Sequence, residues 1–285
     1  MNGPQVSYLP DGRLHLNHGP IDLVIMVEGP NADTAFKVAI NRFETLLQEL
    51  VDELPMLRSP DYMDHLTGQV ACRMRQAVIP HQPVFITPMA AVAGAVADEI
   101  LSVIQQTEGV SRAAVNNGGD IAIYLPDGAE MTIGISSDMG ALWGKINLSG
   151  CDNIRGIATS GRGGRSLSMG IADSVTVLAE NAAQADAAAT LVANACDLPD
   201  HPLVTRVSAC NLDPDSDLDA RLVVTHCAEL CDQDKNLALE RAFRCANDMM
   251  TRGLIAGAAV FLQGNARFSE NRGVTFFQEK GYLCA

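Results

Sequence analysis

The chain has 285 residues, 47% of them hydrophobic and 19% charged, which provides enough apolar surface for a sizeable core and too little charge for an unfolded chain. Its 20 Lys and Arg residues against 34 Asp and Glu residues give a net charge of -14 at pH 7, which disfavours nucleic acid and anionic membranes as partners and favours a small molecule. The length leaves open one domain over 1–285 or two intertwined α+β halves.

The N-terminal segment is polar and turn-rich. It lacks the basic start and following apolar stretch that would predict a secretion signal. Pro, Gly, Asp and Glu interrupt the most apolar stretches, 79–104 and 254–262, which argues against an uninterrupted membrane span. The eight cysteines lack tight pair spacing, as is typical of reduced thiols. We therefore expect a cytoplasmic protein without disulfides.

The first hundred residues predict one strand and then several helices. Residues 21–28 (IDLVIMVE) are rich in branched side chains and predict a strand. Apolar residues recur every three or four positions over 33–54, which predicts an amphipathic helix, and 70–78 predicts a shorter one. Thr87 as N-cap and Pro88 as first helical residue predict a second long helix.

This second helix, expected to run to Gln106, begins with turns made almost entirely of Ala and Gly. Small side chains allow another backbone or a ligand to approach a helix closely, and the sequence leaves both open.

The rest of the chain predicts strands and helices in groups. Further strands are expected at 113–116, 120–125, 131–136, 156–159, 173–178, 222–226 and 255–262, and further helices at 182–196 and 235–252. Pro126-Asp127-Gly128 predicts a hairpin between two of these strands, and 198–219 reads as a linker. Because the elements do not alternate, we predict an α+β layered fold with antiparallel sheet.

A polar break between two apolar strands, Asn116-Asn117-Gly118-Gly119-Asp120, is the first segment that could carry chemistry. Glycines let main-chain N–H groups approach a ligand, and Asn117 and Asp120 offer hydrogen-bond partners. A simple hairpin turn is the alternative interpretation.

A second segment, TSGRGGRS at 159–166, follows a predicted strand. Glycine-turn N–H groups and the two arginines suit a phosphate or carboxylate, although a surface loop explains the composition nearly as well. The segment matches neither the P-loop nor the GxGxxG pattern.

Asp186 and Thr190 lie four residues apart and share one face of the predicted helix. A carboxylate beside a hydroxyl offers the hard oxygen ligands that Mg²⁺ prefers. The alternative is an exposed Asp that stabilises the helix dipole in the first turn.

The segment at 225–231 places His226 close to Cys227 and Cys231. One His with a CxxxC pair lacks a fourth zinc ligand, so buried thiols are the favoured interpretation.

In order and spacing these segments resemble the ApbE-like superfamily, whose best-known members are FAD-dependent FMN transferases. The corresponding segments, within about 85–195, are AVAGAVAD at 91–98, NNGGD at 116–120, ATSG at 158–161, SVTV at 174–177 and ADAAAT at 185–190. The resemblance implies a T-fold-related layered fold in which FAD lies against the glycine turn.

The resemblance also implies a set of site residues. Cofactor contacts are expected at Asn117, Gly118, Gly119 and Asp120, and phosphate contacts at Thr159, Ser160, Gly161, Arg162 and Arg165. Mg²⁺ is expected on Asp186, Thr190 and a main-chain carbonyl near Val92.

The chain departs from the family pattern at residues that the resemblance connects with flavin transfer. Family transferases carry a His-containing segment between ATSG and SVTV, whereas this chain has RGGRSLSMGIAD there, and Ala93 and Ala95 replace the family's Lys and aromatic residue. Loss of the His removes the obvious acid or base. We therefore expect binding of a phosphate-bearing ligand such as FAD with Mg²⁺, without flavin transfer of the usual kind.

Two other functions remain open at this level. One is a sulfur-metabolism enzyme or accessory factor that uses Cys151, Cys227 or Cys231. The other is a non-catalytic scaffold, and the sequence leaves a homo-oligomer open.

Overall fold

The computed structural model describes residues 3–61, 65–136, 142–164 and 166–269, and it has the predicted α+β character. Every strand pair whose register is given is antiparallel. The strands are β1 (Gln5–Tyr8), β2 (Leu14–His18), β3 (Ile21–Glu28), β4 (Arg112–Asn117), β5 (Asp120–Tyr124), β6 (Glu130–Ser136), β7 (Leu142–Ser149), β8 (Gly156–Ser160), β9 (Ser174–Ala179), β10 (Val204–Ser208), β11 (Leu222–Cys227), β12 (Gly257–Leu262) and β13 (Asn265–Phe268). The α-helices are α1 (Ala32–Asp52), α2 (Leu54–Leu57), α3 (Gln69–Val78), α4 (Val92–Gln105), α5 (Ala182–Ala195), α6 (Ala209–Leu212) and α7 (Asp232–Thr251).

The chain divides into two compact units. Unit 1 comprises Met1–Ala129, Asn153–Ala158 and Ala179–Ala187. Unit 2 comprises Glu130–Asp152, Thr159–Leu178 and Ala188–Ala285.

In unit 1, β1 to β5 pair consecutively, and the start of β8 pairs with β5. Alternating residues of these strands are buried, among them Leu14, Leu16, Leu23 and Ile25. Helix α1 packs on β2 and β3, and α4 packs on β4 and β5. Each fully buried aliphatic side chain contributes roughly 1.5–3 kcal/mol, so this layer of strands and helices forms the core of the unit.

In unit 2, β12 lies between β9 and β13, and α7 packs on β12 and β13. The pairs β6–β7 and β10–β11 form separate two-stranded sheets.

Three expectations from the sequence were wrong. The turn at 126–128 forms, with the Ala129 N–H on the Pro126 carbonyl, but it joins no hairpin, because β6 pairs with β7 and β5 pairs with β4 and β8. The linker at 198–219 contains β10 and α6. The second long helix starts as a 3-10 turn over Pro88–Ala91 before α4 begins.

Among the described residues, one helical segment, Pro88–Gln105, is long and apolar enough to cross a membrane by length and composition. It is the 3-10 turn together with α4, and 61% of it is buried within the protein. A buried core helix passes the same test, which accounts for its composition.

Candidate functional site

The NNGGD segment, called the GGD turn below, is a tight hairpin between β4 and β5. Asn117 pairs with Asp120, and the two residues between them, Gly118 and Gly119, have φ angles of 64° and 116°. Such left-handed angles favour glycine, which explains the pair. The Asn116 side-chain oxygen accepts the Gly119 N–H at 2.8 Å, which locks the turn. The segment thus forms a hairpin turn, and its contact with a ligand stays a prediction.

The GGD turn is joined to the start of α4 through Asn117, which is only 5% exposed. Its Nδ2 donates to the Ala93 carbonyl at 3.1 Å, and its Oδ1 accepts the Asp22 N–H at 3.4 Å. Apart from its two chain neighbours, no residue has a heavy atom within 4 Å of the position that a Cβ on Gly119 would occupy. The turn is therefore held rigidly from one side and leaves room at its tip.

The small residues of α4 serve backbone packing. A Cβ added at Gly94 would lie 2.2 Å from the Ala182 carbonyl oxygen at the start of α5, closer than any real contact. Only glycine permits this approach. The small-residue stretch could have admitted either a ligand or another backbone, and at Gly94 it admits the backbone of α5.

Carboxylates complete this helix contact from both sides. Asp98 of α4 accepts the N–H groups of Ala182 at 3.0 Å and Ala183 at 2.9 Å. Asp186 of α5 accepts the Gly94 N–H at 3.0 Å with Oδ2. Asn181 Oδ1 accepts the Gln184 N–H at 2.9 Å and so also caps the start of α5. Helix N-termini carry unsatisfied N–H groups and a partial positive charge, which these carboxylates match.

Burial and neighbouring carboxylates raise the pKa of Asp186. Desolvation, followed by the negative charge of Asp120 and then that of Asp98, raises the pKa of Asp186 well above its usual value, while the backbone amides of Gly94 and Ala93 oppose the shift. Desolvation also raises the pKa of Asp98 to about 6. Although part of the Asp186 surface stays accessible, its carboxyl group is surrounded closely enough to be dehydrated. In unit 1, the acidic groups of Asp98, Asp120 and Asp186 thus lie where water is partly excluded. A cation bound among them would be stabilised.

The donor chemistry fits Mg²⁺ in part. Asp120 and Asp186 offer carboxylate oxygens, the ligand type Mg²⁺ prefers. Thr190 lies one turn further along α5 and is half-buried, and since it falls in unit 2 its role as a ligand stays a prediction. Within the described ranges, no group of three or more His, Cys, Asp or Glu side chains is arranged to hold a metal.

The loop at 159–166, in unit 2, is largely occupied with internal contacts. The Thr159 and Thr176 hydroxyls lie 3.2 Å apart. Gly161 has a φ of 134°, and a Cβ there would lie 2.7 Å from the Asp173 carbonyl oxygen.

The arginines of this loop are among its predicted phosphate contacts. Arg162 donates to Asp173 Oδ1 at 2.5 Å and to the Ile171 carbonyl at 3.2 Å. An anion would therefore have to share this guanidinium with Asp173. Ser160 is half-buried, and Arg165 lies outside the described residues. The phosphate contacts of this loop stay a prediction.

The thiols differ strongly in their surroundings. Cys227 is buried, and burial raises its pKa, while burial raises the pKa of Cys196 to about 12. Cys151 and Cys231 are exposed, and the Cys231 thiol donates to Asp234 Oδ2 at 3.1 Å. His226 is also exposed. Cys227 therefore has the properties of a structural thiol, as the sequence favoured. The same expectation was wrong for Cys231, which is exposed at the N-cap of α7.

Sequence reasoning missed Asp98, which lines a polar cavity of about 60 Å³ at the start of α5. Its other polar lining residues are Arg73, Gln76, Asn181 and Gln184. The available signal was its position as the last residue of the segment AVAGAVAD, whose acidic end matches the family pattern.

A family model described as AbpE bacteria matches residues 6–268. The chain belongs to this AbpE family. The predicted family resemblance is thereby confirmed.

Relatives of this AbpE family chain include archaeal proteins named UPF0280. The Methanothermobacter thermautotrophicus protein is 41% identical over 118 residues, covering 40% of this chain and 44% of the relative. The Methanopyrus kandleri protein is 39% identical over 114 residues, covering 40% of this chain and 44% of the relative. The Methanospirillum hungatei protein is 38% identical over 127 residues, 44% of this chain and 51% of the relative. The matched part spans about half, or less, of each relative.

Solved structures similar to the AbpE family chain include an ApbE protein of Thermotoga maritima, with 12% identity, a TM-score of 0.47 and coverage of 93% and 97% of the two chains. A flavinyl transferase ApbE of Pseudomonas stutzeri has 12% identity, a TM-score of 0.38 and coverage of 97% and 94%.

Proposed function

We propose that this AbpE family chain binds a phosphate-bearing ligand such as FAD, together with Mg²⁺, without transferring flavin in the usual way. The observation that carries the proposal is the approach of two carboxylates from two separate motifs. Asp120 of the GGD turn and Asp186 of α5 lie close enough for the charge of Asp120 to raise the pKa of Asp186. Dehydrated like charges are costly unless a proton or a cation neutralises them.

Asp186 is the residue best prepared to hold the cation. The Gly94 N–H fixes its Oδ2 at 3.0 Å, so the carboxylate has one orientation. A main-chain carbonyl near Val92 and the Thr190 hydroxyl are the further ligands that the family resemblance implies. Bound there, Mg²⁺ would neutralise phosphate oxygens of the ligand. In this proposal the carboxylate of Asp120 stands beside the ion.

The GGD turn is the proposed contact for the ligand. Gly118 and Gly119 carry no side chains, so a ligand can approach the backbone at the tip closely, although the Gly119 N–H itself is donated to Asn116 Oδ1. Asn117 holds this turn against α4 through the Ala93 carbonyl. We propose the loop at 159–166 separately as an anion-binding segment of unit 2, in which Arg162 exchanges part of its contact with Asp173 for a phosphate.

Transfer chemistry is left out of the proposal because its parts are missing. The segment between ATSG and SVTV carries no His, and Ala93 and Ala95 offer neither a charge nor an aromatic surface. A chain that retains the cradle without an acid or base can bind and hold a flavin.

The test is a titration of purified protein with FAD, followed by fluorescence, with and without Mg²⁺. We expect Mg²⁺ to tighten FAD binding by about tenfold or more, equivalent to about 1.4 kcal/mol. Asp186→Asn should remove this dependence, because the amide cannot supply the charge. The matched control is Asp127→Asn, which removes one exposed charge in the same unit and should behave like the wild type.

Two results would contradict the proposal. If FAD does not bind at all, the ligand assignment fails. If FAD binds but Mg²⁺ changes its affinity equally in the wild type and in Asp186→Asn, the metal assignment fails while the ligand assignment stands.

A further inference from the structure

Three polar side chains form a hydrogen-bonded chain across the first strands of unit 1. Ser7 lies on β1, His15 on β2 and Asp22 on β3. Ser7 and His15 are direct cross-strand partners, and the Ser7 Oγ lies 3.3 Å from His15 Nδ1. On the other side of the ring, His15 Nε2 lies 2.5 Å from Asp22 Oδ1.

Asp22 determines which nitrogen of His15 carries the proton. An ionised carboxylate only accepts hydrogen bonds, so Nε2–H donates to Asp22. In the neutral imidazole Nδ1 is then unprotonated, and it accepts the hydroxyl proton of Ser7. A hydroxyl, an imidazole base and a carboxylate that orients the base are the parts that activate a nucleophile.

The cluster is accessible from solvent. All four residues of β1 are exposed, and the side chains of His15 and Asp22 are 34% and 46% exposed. His15 alternates along β2 with Leu14 and Leu16, which are buried, so it lies on the sheet face away from the core. An acyl donor can therefore reach Ser7 without a conformational change of the core.

We propose that Ser7, His15 and Asp22 form a nucleophilic site for acyl transfer from activated carboxylic esters. The Ser7 Oγ attacks the carbonyl carbon while its proton passes to His15 Nδ1. The bond from carbon to the leaving oxygen breaks, and that oxygen takes the proton from Nδ1, which leaves acyl-Ser7. Water then attacks the acyl carbon with His15 as base, releasing the carboxylic acid and restoring Ser7. The reaction balances with ester and water alone, and the Asp22 carboxylate stabilises the transient imidazolium.

The test uses the full-length protein and p-nitrophenyl acetate. We expect release of p-nitrophenol and an acetyl group on the peptide that carries Ser7 after acid quenching. Ser7→Ala should remove the adduct and lower the rate by about a hundredfold, the usual contribution of a positioned base and its nucleophile. Asp22→Asn should lower the rate as well, because its amide can donate to Nε2 and thereby move the ring proton to Nδ1.

Controls separate a reactive site from a structural polar cluster. Ser216→Ala removes a hydroxyl that accepts the backbone N–H of Leu218 at 3.3 Å, and this substitution should leave the rate unchanged. Equal rates for the wild type and Ser7→Ala, or an acetyl group mapped elsewhere, would overturn the proposal. Because Ser7 takes no part in the proposed FAD and Mg²⁺ contacts, Ser7→Ala should titrate with FAD like the wild type. The two proposals therefore fail independently.

Discussion

Asp98 and Asp186 cap each other's helices. Asp98 on α4 accepts two N–H groups at the start of α5, from Ala182 and Ala183, at 3.0 and 2.9 Å. Asp186 on α5 accepts the Gly94 N–H at the start of α4 at 3.0 Å. Each carboxylate meets the partly positive end of the other helix, so the exchange fixes the two helix starts in one register.

The caps made by Asp98 can be tested by two substitutions at one position. We expect Asp98→Ala to be less stable than Asp98→Asn by about 1–2 kcal/mol, because the Asn oxygen still accepts one of the two N–H groups. Urea unfolding at pH 7.5, followed by circular dichroism, measures the difference. Equal stability of the two variants would contradict the capping role.

The raised pKa of Asp98 predicts a pH dependence of stability. Burial raises this pKa from 3.8 to about 6, so between these values the folded protein holds a proton that the unfolded chain has released. The free energy of unfolding should therefore fall as pH rises from about 4 to about 6 and level off above, by on the order of 3 kcal/mol from this group. Urea unfolding across this range should give a smaller fall for Asp98→Asn than for the wild type. Parallel profiles for the two proteins would contradict the shift.

Gly94 should tolerate no side chain. Alanine normally stabilises a helix interior by about 1 kcal/mol relative to glycine, but here its Cβ would lie 2.2 Å from the Ala182 oxygen. We expect Gly94→Ala to lower the free energy of unfolding by about 1–3 kcal/mol. The control is Gly3→Ala, because nothing lies within 4 Å of its added Cβ and its stability should match the wild type. A stabilised Gly94→Ala would show that the helix contact is looser than described.

The cysteines should react with alkylating reagents at very different rates. Cys151 and Cys231 are exposed, whereas Cys196 is buried and its pKa is raised from 9.0 to about 12. Three pKa units reduce the thiolate fraction roughly a thousandfold, and burial slows access further. Iodoacetamide labelling at pH 8, with peptide mass spectrometry, should modify the exposed pair first, and unfolding in urea should remove the difference.

The labelling also bears on the cysteine-dependent alternative function. Alkylation of Cys151 and Cys231 that leaves FAD binding intact would count against the cysteine-dependent function. Rapid labelling of Cys196 in the folded protein would contradict its burial.

The sequence by itself determined most of the elements and the family. Strand β3 and helix α3 follow from local patterns, and so does the Asn181 cap, because its hydrogen bond joins residues three positions apart. The hairpin at Gly118 and Gly119 is determined in the same way, since left-handed backbone angles favour glycine. The order of the motifs indicated the family before any distance was known.

Only the tertiary structure decided what the motifs touch. Asp98 and its partner Ala182 are 84 positions apart, so no local pattern reveals that this carboxylate caps α5. The stretch of small residues allowed a ligand or a backbone, and the Ala182 carbonyl against Gly94 decided for the backbone there. Likewise Asp186 looked like an exposed first-turn residue or a metal ligand, and its dehydration beside Asp120 depends on packing between distant segments. Hydrogen bonds within a turn are set by local sequence, whereas dehydration and charge coupling arise only when the chain has folded.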